Sequence, residues 1–155
     1  MSKNIARMGK NTPLILKHAE GSFSDLITIS SRKDNRDETI KIIKTNLAAW
    51  MKNEHFDRYR NQQLDVAIVL FVDEQKMKKQ DVDNVGKIVL DALKQGAKDE
   101  HRKEAYLFDD DSQVVRLLVY KLPRCEDEEN NTDCMVVSFR RHDYVEQMLL
   151  ELDGR

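Results

Sequence analysis

One apolar segment, residues 64–72, constrains the fold of this chain more than any other feature. Leu64, Val66, Ile68, Leu70 and Val72 alternate along one side of it, and the other side also carries apolar residues. A strand that is apolar on both faces is buried on both faces. The segment therefore predicts a central strand of a β-sheet.

Helices and further strands are predicted on either side of this strand. Apolar residues recur at helical spacing in residues 36–52 and 84–97. Residues 114–122 and 135–140 are typical of two strands joined as a hairpin. Before and after these elements, the sequence predicts short strands at 14–16 and 26–29, in a stretch (1–35) that is poorly defined by sequence, and a last helix that begins with a capping box at Asp143. We predict one α+β domain over residues 1–155, with helices packed on a mixed β-sheet.

Charge and composition limit the classes of partner. The 155 residues carry a net charge of −2, so a nucleic-acid partner cannot be inferred from overall basicity. Residues 126–133 form an acidic run, and runs of this kind are usually solvated. No apolar run is long enough to cross a bilayer, and the start lacks the apolar core of a signal peptide, so we expect a cytoplasmic protein without a membrane partner.

Two clusters of aspartate lie on the two sides of the second predicted helix. Asp81 and Asp83 stand at its start, and Asp109, Asp110 and Asp111 precede strand 114–122. Because like charges this dense repel one another, the grouping favours compensation by a hard divalent cation such as Mg²⁺, which binds carboxylate oxygens. Aspartates also favour helix starts and turns, and this alternative explains either cluster alone better than both together.

The spacing of these residues sets the conditions for a shared site. Asp81 and Asp83 can share a ligand only if they span the junction between loop and helix, since residues two apart on a helix point to nearly opposite sides. Lys87, four residues after Asp83, can contact phosphate and stabilise developing charge there, or form an ordinary surface salt bridge. If strand 114–122 lies beside strand 64–72, its start could approach the helix N-terminus. Three aspartates and a lysine suit metal-assisted phosphodiester hydrolysis.

Other motifs fit the sequence less well. The segment from Asp81 begins like a calcium-binding EF-hand loop, but Val85 and Ala92 stand where oxygen ligands are needed. The sequence contains neither a glycine-rich phosphate loop nor a Cys-x-x-Cys pair, and its four histidines are scattered. Nucleotide-triphosphate motors and zinc chemistry therefore have no support.

The aspartate motifs resemble those of the RusA family of Holliday junction resolvases, the crossover junction endodeoxyribonucleases of phages and prophages. The residues that carry the resemblance are Asp81-Val82-Asp83-Asn84-Val85-Gly86-Lys87, Asp91-Ala92-Leu93 and Asp110-Asp111-Ser112-Gln113-Val114, within residues 64–121. The longer segment 94–106 and the net negative charge depart from the family pattern. The additional Asp109 leaves the register of the second motif open by one residue.

The resemblance implies a RusA-like α+β homodimer that acts on four-way DNA junctions. It implies that Asp81, Asp83 and Asp111 bind Mg²⁺ or Mn²⁺ and that Lys87 assists catalysis. Such an enzyme resolves the junction by paired nicks in DNA recombination and repair.

Binding of branched DNA by a chain without net positive charge would depend on local basic patches. The candidate DNA contacts are Lys76, Lys78 and Lys79, with Arg32, Lys33, Arg140 and Arg141 as further candidates. Two other functions stay open. One is a non-catalytic branched-DNA or protein-binding module that retains the fold. The other is a metal-dependent phosphotransfer enzyme of the topoisomerase-primase type, although that type has its aspartate pair directly at the end of an apolar strand.

Overall fold

The computed structural model describes residues 19–26, 33–52, 59–94, 105–124 and 133–142, which contain four strands and three α-helices. A 3₁₀ turn at Asp111–Gln113 leads into the third strand. The elements are β1 (Gly21–Leu26), α1 (Lys33–Met51), β2 (Leu64–Val72), α2 (Glu74–Lys79), α3 (Val82–Leu93), β3 (Val114–Pro123) and β4 (Cys134–Arg141).

The four strands form one mixed sheet in the order β1-β4-β2-β3. β4 is antiparallel to both β1 and β2, whereas β3 is parallel to β2. Every residue of β2 is buried. The α+β class, the mixed sheet and the central position of residues 64–72 are therefore confirmed.

The predicted hairpin of β3 and β4 is wrong, because the two strands lie on opposite edges of β2. The burial of β2 gives the physical reason. The N–H and C=O groups of a buried strand need hydrogen-bond partners on both sides, and a separate hairpin would leave one edge of β2 unpaired. β3 on one side and β4 on the other satisfy both edges.

α1 and α3 pack against the same face of the sheet and form the main core with it. Ile43 and Leu47 of α1 belong to the same buried cluster as Val85 and Val89 of α3 and the inward side chains of β2. Full burial of an aliphatic side chain of this size contributes about 1.5–3 kcal/mol. No helix within the described ranges is both long and apolar enough to cross a membrane.

The helix boundaries differ from the prediction at α3. The helix ends at Leu93 rather than at residue 97, because Lys94 is extended and forms a parallel bridge with Phe108. Strand β1 overlaps the predicted strand 26–29 only at Leu26. Residues 14–16, 27–29 and 143–152 lie outside the described residues, and so do the predictions made for them.

A short helix, α2, was not predicted. Asp73 caps its N-terminus by accepting a hydrogen bond of 2.8 Å from the backbone N–H of Lys76. This hydrogen bond lowers the pKa of Asp73. The signal was present in the sequence, since Asp73 precedes an acidic first turn and a basic last turn, the favourable arrangement for a helix dipole.

Candidate active site

A cleft lies between α3, the start of α1 and the turn before β3. It encloses about 350 Å³, and its wall consists of Arg36, Asn84, Lys87, Ile88, Leu90, Asp91 and Asp111. The α3 residues recur every three or four positions, so that they line one side of the helix. The cleft thus presents amide and carboxylate oxygens together with an ammonium and a guanidinium group.

Cations compensate both carboxylates of the cleft. Arg36 forms an ion pair with Asp91. Nζ of Lys94 lies 3.3 Å from Oδ1 of Asp91 and 3.6 Å from Oδ2 of Asp111. The hydrogen bond with Asp91, followed by the charge of Asp111, raises the pKa of Lys94. The two carboxylates can therefore lie near each other without a net negative charge on the cleft.

The three residues of the second aspartate cluster have different environments. Asp111 lines the cleft, whereas Asp109 is exposed and is not part of its wall. Asp110 caps the 3₁₀ turn, because its carboxylate accepts hydrogen bonds from Oγ of Ser112 at 2.5 Å and from its N–H at 3.4 Å. The hydrogen bond from the Ser112 hydroxyl, followed by that from the Ser112 backbone N–H, lowers the pKa of Asp110. This arrangement supports Asp111 as the functional member of the cluster.

Gln113 connects the aspartate cluster to the segment that precedes β2. Its Oε1 accepts hydrogen bonds from the backbone N–H of Asp109 at 2.9 Å and of Asp110 at 3.3 Å. On the other side, Nε2 donates to the carbonyls of Tyr59 at 3.3 Å, of Arg60, and of Gln62 at 3.0 Å. The side chain of Gln113 therefore fixes the turn that presents Asp111.

Asp81 and Asp83 lie at the other end of α3. Asp81 is the N-cap residue and Asp83 is in the first turn; both are exposed, and neither belongs to the wall of the cleft. Asp83 lies one turn before Lys87 and on the same side of the helix. The side chain of Asp81 makes no capping hydrogen bond. The carboxylate of Asp81 is therefore not used for capping, in contrast to those of Asp73 and Asp110.

The start of β3 was expected to approach the N-terminus of α3. It lies instead near the C-terminal end of the helix. Because β3 is parallel to β2, α3 has to return the chain to the beginning of the sheet, and Asp111 meets the later part of the helix. The eight residues from Asp83 to Asp91 correspond to about 12 Å along a helix axis. Within the described ranges, no three His, Cys, Asp or Glu side chains form a group that could hold a metal ion.

The chemistry of the cleft nevertheless fits a hard divalent cation. Asn84, Asp91 and Asp111 supply oxygen donors, the atoms that Mg²⁺ prefers. Mg²⁺ is usually bound through one or two carboxylates and keeps several waters or takes phosphate oxygens. Two carboxylates in an open cleft are therefore a sufficient protein contribution.

Two exposed lysines on α2 lie close to the start of α3. Lys78 and Lys79 form the last turn of α2, and Asp81 follows them by two residues. Lys76, in contrast, is partly buried and forms an ion pair with Asp133. Among the predicted DNA contacts of α2, Lys78 and Lys79 thus present their charges to solvent.

The predicted contacts outside α2 differ in exposure. Arg140 is buried and donates a hydrogen bond of 3.0 Å to Asp65, so its charge is compensated inside the protein, which does not favour the predicted DNA contact. Arg141 is exposed and lies 2.9 Å from a carboxylate oxygen of Glu20. Lys33 begins α1, but its side chain, like the whole of Arg32, lies outside the described residues.

Sequence reasoning missed several residues of the cleft. Asn84 and Asp91 belong to the motif but were not assigned roles, and neither Arg36 nor Lys94 was recognised. One signal for Arg36 was available, because it lies in the first turn of α1, where the helix dipole disfavours a cation. An arginine in that position indicates a partner elsewhere in the fold.

One comparison with known proteins identifies a family for this chain. A family model described as "Endodeoxyribonuclease RusA" matches residues 22–133, more than half of the chain. The matched span contains Asp81, Asp83, Lys87 and Asp111. No match was found among curated proteins.

Proposed function

Since the chain belongs to the RusA family of endodeoxyribonucleases, we propose that it is a Mg²⁺-dependent, structure-selective endodeoxyribonuclease. Its substrate is the four-way (Holliday) DNA junction, which it resolves by paired nicks in DNA recombination and repair. The observation that carries this proposal is the cleft in which Lys87 and Asp111 lie together. The family supports the class of reaction, and the cleft supports its location.

Lys87 and the aspartates have complementary roles in this proposal. We assign the ammonium of Lys87 to the scissile phosphate, where it stabilises the charge that develops in the transition state. We assign Asp111 as a ligand for Mg²⁺ or Mn²⁺ within the cleft. Asp81 and Asp83 are assigned as ligands for such an ion at the N-terminal end of α3, outside the wall of the cleft. Such an ion, when bound, activates water and neutralises phosphate charge.

The position of α2 supports a path for the DNA backbone. Lys78 and Lys79 are exposed immediately before α3, whose N-terminus carries the positive end of a helix dipole. A phosphate backbone that contacts these lysines would reach the start of α3 next. In this proposal, α2 binds the arm of the junction that leads into the cleft.

Symmetric cleavage also supports a homodimer, because one active site cannot nick two strands of a junction at related positions. A two-fold axis supplies two such sites, and C2 is the commonest symmetry of homodimers. β3 is at one edge of the sheet, and exposed apolar side chains lie on it and at the start of α3: Val82, Val115, Leu117 and Tyr120. Sedimentation should give a dimer at working concentrations, and a strictly monomeric protein would contradict the proposal.

One experiment tests the function directly. The protein is incubated with a synthetic four-way junction and with a linear duplex of the same sequence, each with Mg²⁺ and with a chelator. We expect paired nicks in the junction with Mg²⁺ only. Junction binding without cleavage would identify a non-catalytic module, and equal cleavage of the linear duplex would identify a phosphodiesterase without structural selectivity.

A further inference from the structure

The ammonium of Lys94 lies between two carboxylates that come from different elements. Nζ is 3.3 Å from Asp91 of α3 and 3.6 Å from Asp111 of the turn before β3. The backbone of Lys94 is fixed at the end of α3, since its N–H donates to the carbonyl of Leu90 at 3.1 Å and its strand bridge joins Phe108. Lys94 is therefore anchored at its backbone, and its ammonium bridges two carboxylates of the cleft wall.

A cation in this position compensates the repulsion between two neighbouring carboxylates, as a bound metal ion would. The side chain of Lys94 is 37% exposed, and its four-carbon stem allows the ammonium to turn towards solvent. Asp91 would keep Arg36 as a partner after such a movement. Asp111 would become available to another cation.

We propose that Lys94 is an internal counter-cation that holds Asp111 near Asp91 in the metal-free protein and is displaced from Asp111 when a divalent ion binds. This inference rests on the proposed function, in which Asp111 is a metal ligand. Lys94 then lowers the affinity for metal, because binding has to break its contact with Asp111 and place a second positive charge nearby. In this way Lys94 sets the metal concentration at which the site fills.

The alternative is an ordinary pair of surface ion pairs. Exposed ion pairs contribute little to stability, so their loss would leave metal binding almost unchanged. A second alternative is that Lys94 positions the carboxylates for the ion, and its loss would then weaken metal binding. When Lys94 is removed, tighter metal binding supports the proposal, unchanged binding supports ordinary ion pairs, and weaker binding supports a positioning role.

Calorimetric titration with Mn²⁺ alone tests the proposal in four proteins. They are the wild type, Lys94→Gln, Lys94→Arg, and Lys41→Gln, which removes the same charge from an exposed position of α1 outside the wall of the cleft. We expect Lys94→Gln to bind Mn²⁺ about tenfold more tightly than the wild type, because one neighbouring positive charge is removed. Lys94→Arg, which keeps the charge, and Lys41→Gln should stay within about twofold of the wild type.

A thermal melt provides a second measurement that does not depend on cleavage. Metal-free Lys94→Gln should melt at a lower temperature than the wild type, since Asp91 and Asp111 lose their shared cation. Mn²⁺ should raise the melting temperature of Lys94→Gln by more than it raises that of the wild type. Adding Asp111→Asn to Lys94→Gln should remove the gain in Mn²⁺ affinity.

Equal or weaker Mn²⁺ binding by Lys94→Gln would overturn the proposal, as would an equal gain in Lys41→Gln. If the wild type and Lys94→Gln both fail to bind Mn²⁺, the proposed metal-dependent function fails as well. If the wild type binds Mn²⁺ and Lys94→Gln binds it with the same affinity, only the inference about Lys94 fails.

Discussion

Asp65 on β2 and Arg140 on β4 are directly opposite each other in the sheet and form a buried ion pair. Nε of Arg140 lies 3.0 Å from Oδ2 of Asp65, and both side chains are buried. The second carboxylate oxygen lies 2.8 Å from Nδ1 of His142. A basic residue that the sequence suggests as a DNA contact thus balances a charge inside the protein.

Arg140→Ala should destabilise the fold, because it leaves the buried carboxylate of Asp65 without its main partner. Breaking a buried pair in this way costs about 3–5 kcal/mol of the free energy of unfolding. Denaturant titration measures this loss. Arg141→Ala, at the exposed neighbouring position, should cost less than about 1 kcal/mol. A stable Arg140→Ala protein with weak junction binding would support Arg140 as a DNA contact.

Asp81→Asn, Asp83→Asn and Asp111→Asn should each abolish cleavage of a four-way junction. Junction binding should stay intact or become tighter, since each substitution removes a negative charge that repels phosphate. Asp109→Asn is the matched control and should be much milder, because Asp111 is the member of this cluster that lines the cleft and only the backbone N–H of Asp109 is held by Gln113. Gel assays of binding and cleavage measure both quantities. Full activity in Asp111→Asn with loss in Asp109→Asn would show that the register is shifted.

Lys87→Ala should lower the rate of cleavage while the melting temperature stays the same. Lys87 is exposed on α3, so its removal costs little packing, yet it takes away the ammonium assigned to the phosphate. We expect a loss of about 10²-fold or more in turnover, the usual effect of losing one such group. Lys41→Ala on α1 is the control. If Lys87→Ala keeps near wild-type turnover, Lys87 belongs to an ordinary surface salt bridge and not to the catalytic site.

Replacing Lys78 and Lys79 together by glutamine should weaken junction binding and reduce its dependence on salt. Each lost phosphate contact lowers the slope of log K against log salt concentration by about 0.9, so the pair should lower it by about 2. The matched control replaces Lys41 of α1 and Lys52, which directly follows α1; both lysines are exposed. If the control weakens junction binding and lowers its salt dependence equally, binding depends only on the net charge of the protein and not on the positions of Lys78 and Lys79.

Gln113→Ala should reduce the cleavage rate through the position of Asp111. The substitution removes the hydrogen bonds that join Asp109 and Asp110 to the segment before β2. Affinity for the junction should change little while kcat falls, because Gln113 does not line the cleft. Gln75→Ala on the exposed side of α2 is the control. A normal kcat together with a lowered melting temperature would limit Gln113 to a structural role.

Periodicity in the sequence predicted the elements that bury a regular apolar face. The alternation of residues 64–72 gave the central strand, and the spacing of Val85 and Val89 gave the buried side of α3. The strand order did not follow from local patterns, since β3 and β4 both carry apolar residues and only the need to pair both edges of β2 decides their positions. Pairing of this kind depends on residues far apart in sequence.

The sequence predicted which residue types form the candidate site, but it predicted less well how those residues are arranged in space. Lys87 and Asp111 share the cleft, and both were identified from their motifs. The contacts of Arg36 with Asp91 and of Lys94 with Asp111 join distant segments, so no local pattern predicts them. The difference between Asp110 and Asp111 also depends on the 3₁₀ turn, whose cap uses one carboxylate and leaves the next one facing the cleft.

The bridge between Lys94 and Phe108 has a consequence for how this chain tolerates change in length. The chain leaves α3 at Lys94 and comes back beside it at Phe108, so these two positions are held together by their pairing. Lengthening a closed loop costs only about 0.6 kcal/mol for each doubling. Insertions and deletions between Lys94 and Ala105, which leave the buried Leu107 and Phe108 in place, should therefore accumulate during evolution without moving Asp91 relative to Asp111. A tag or a fluorescent label could be inserted there.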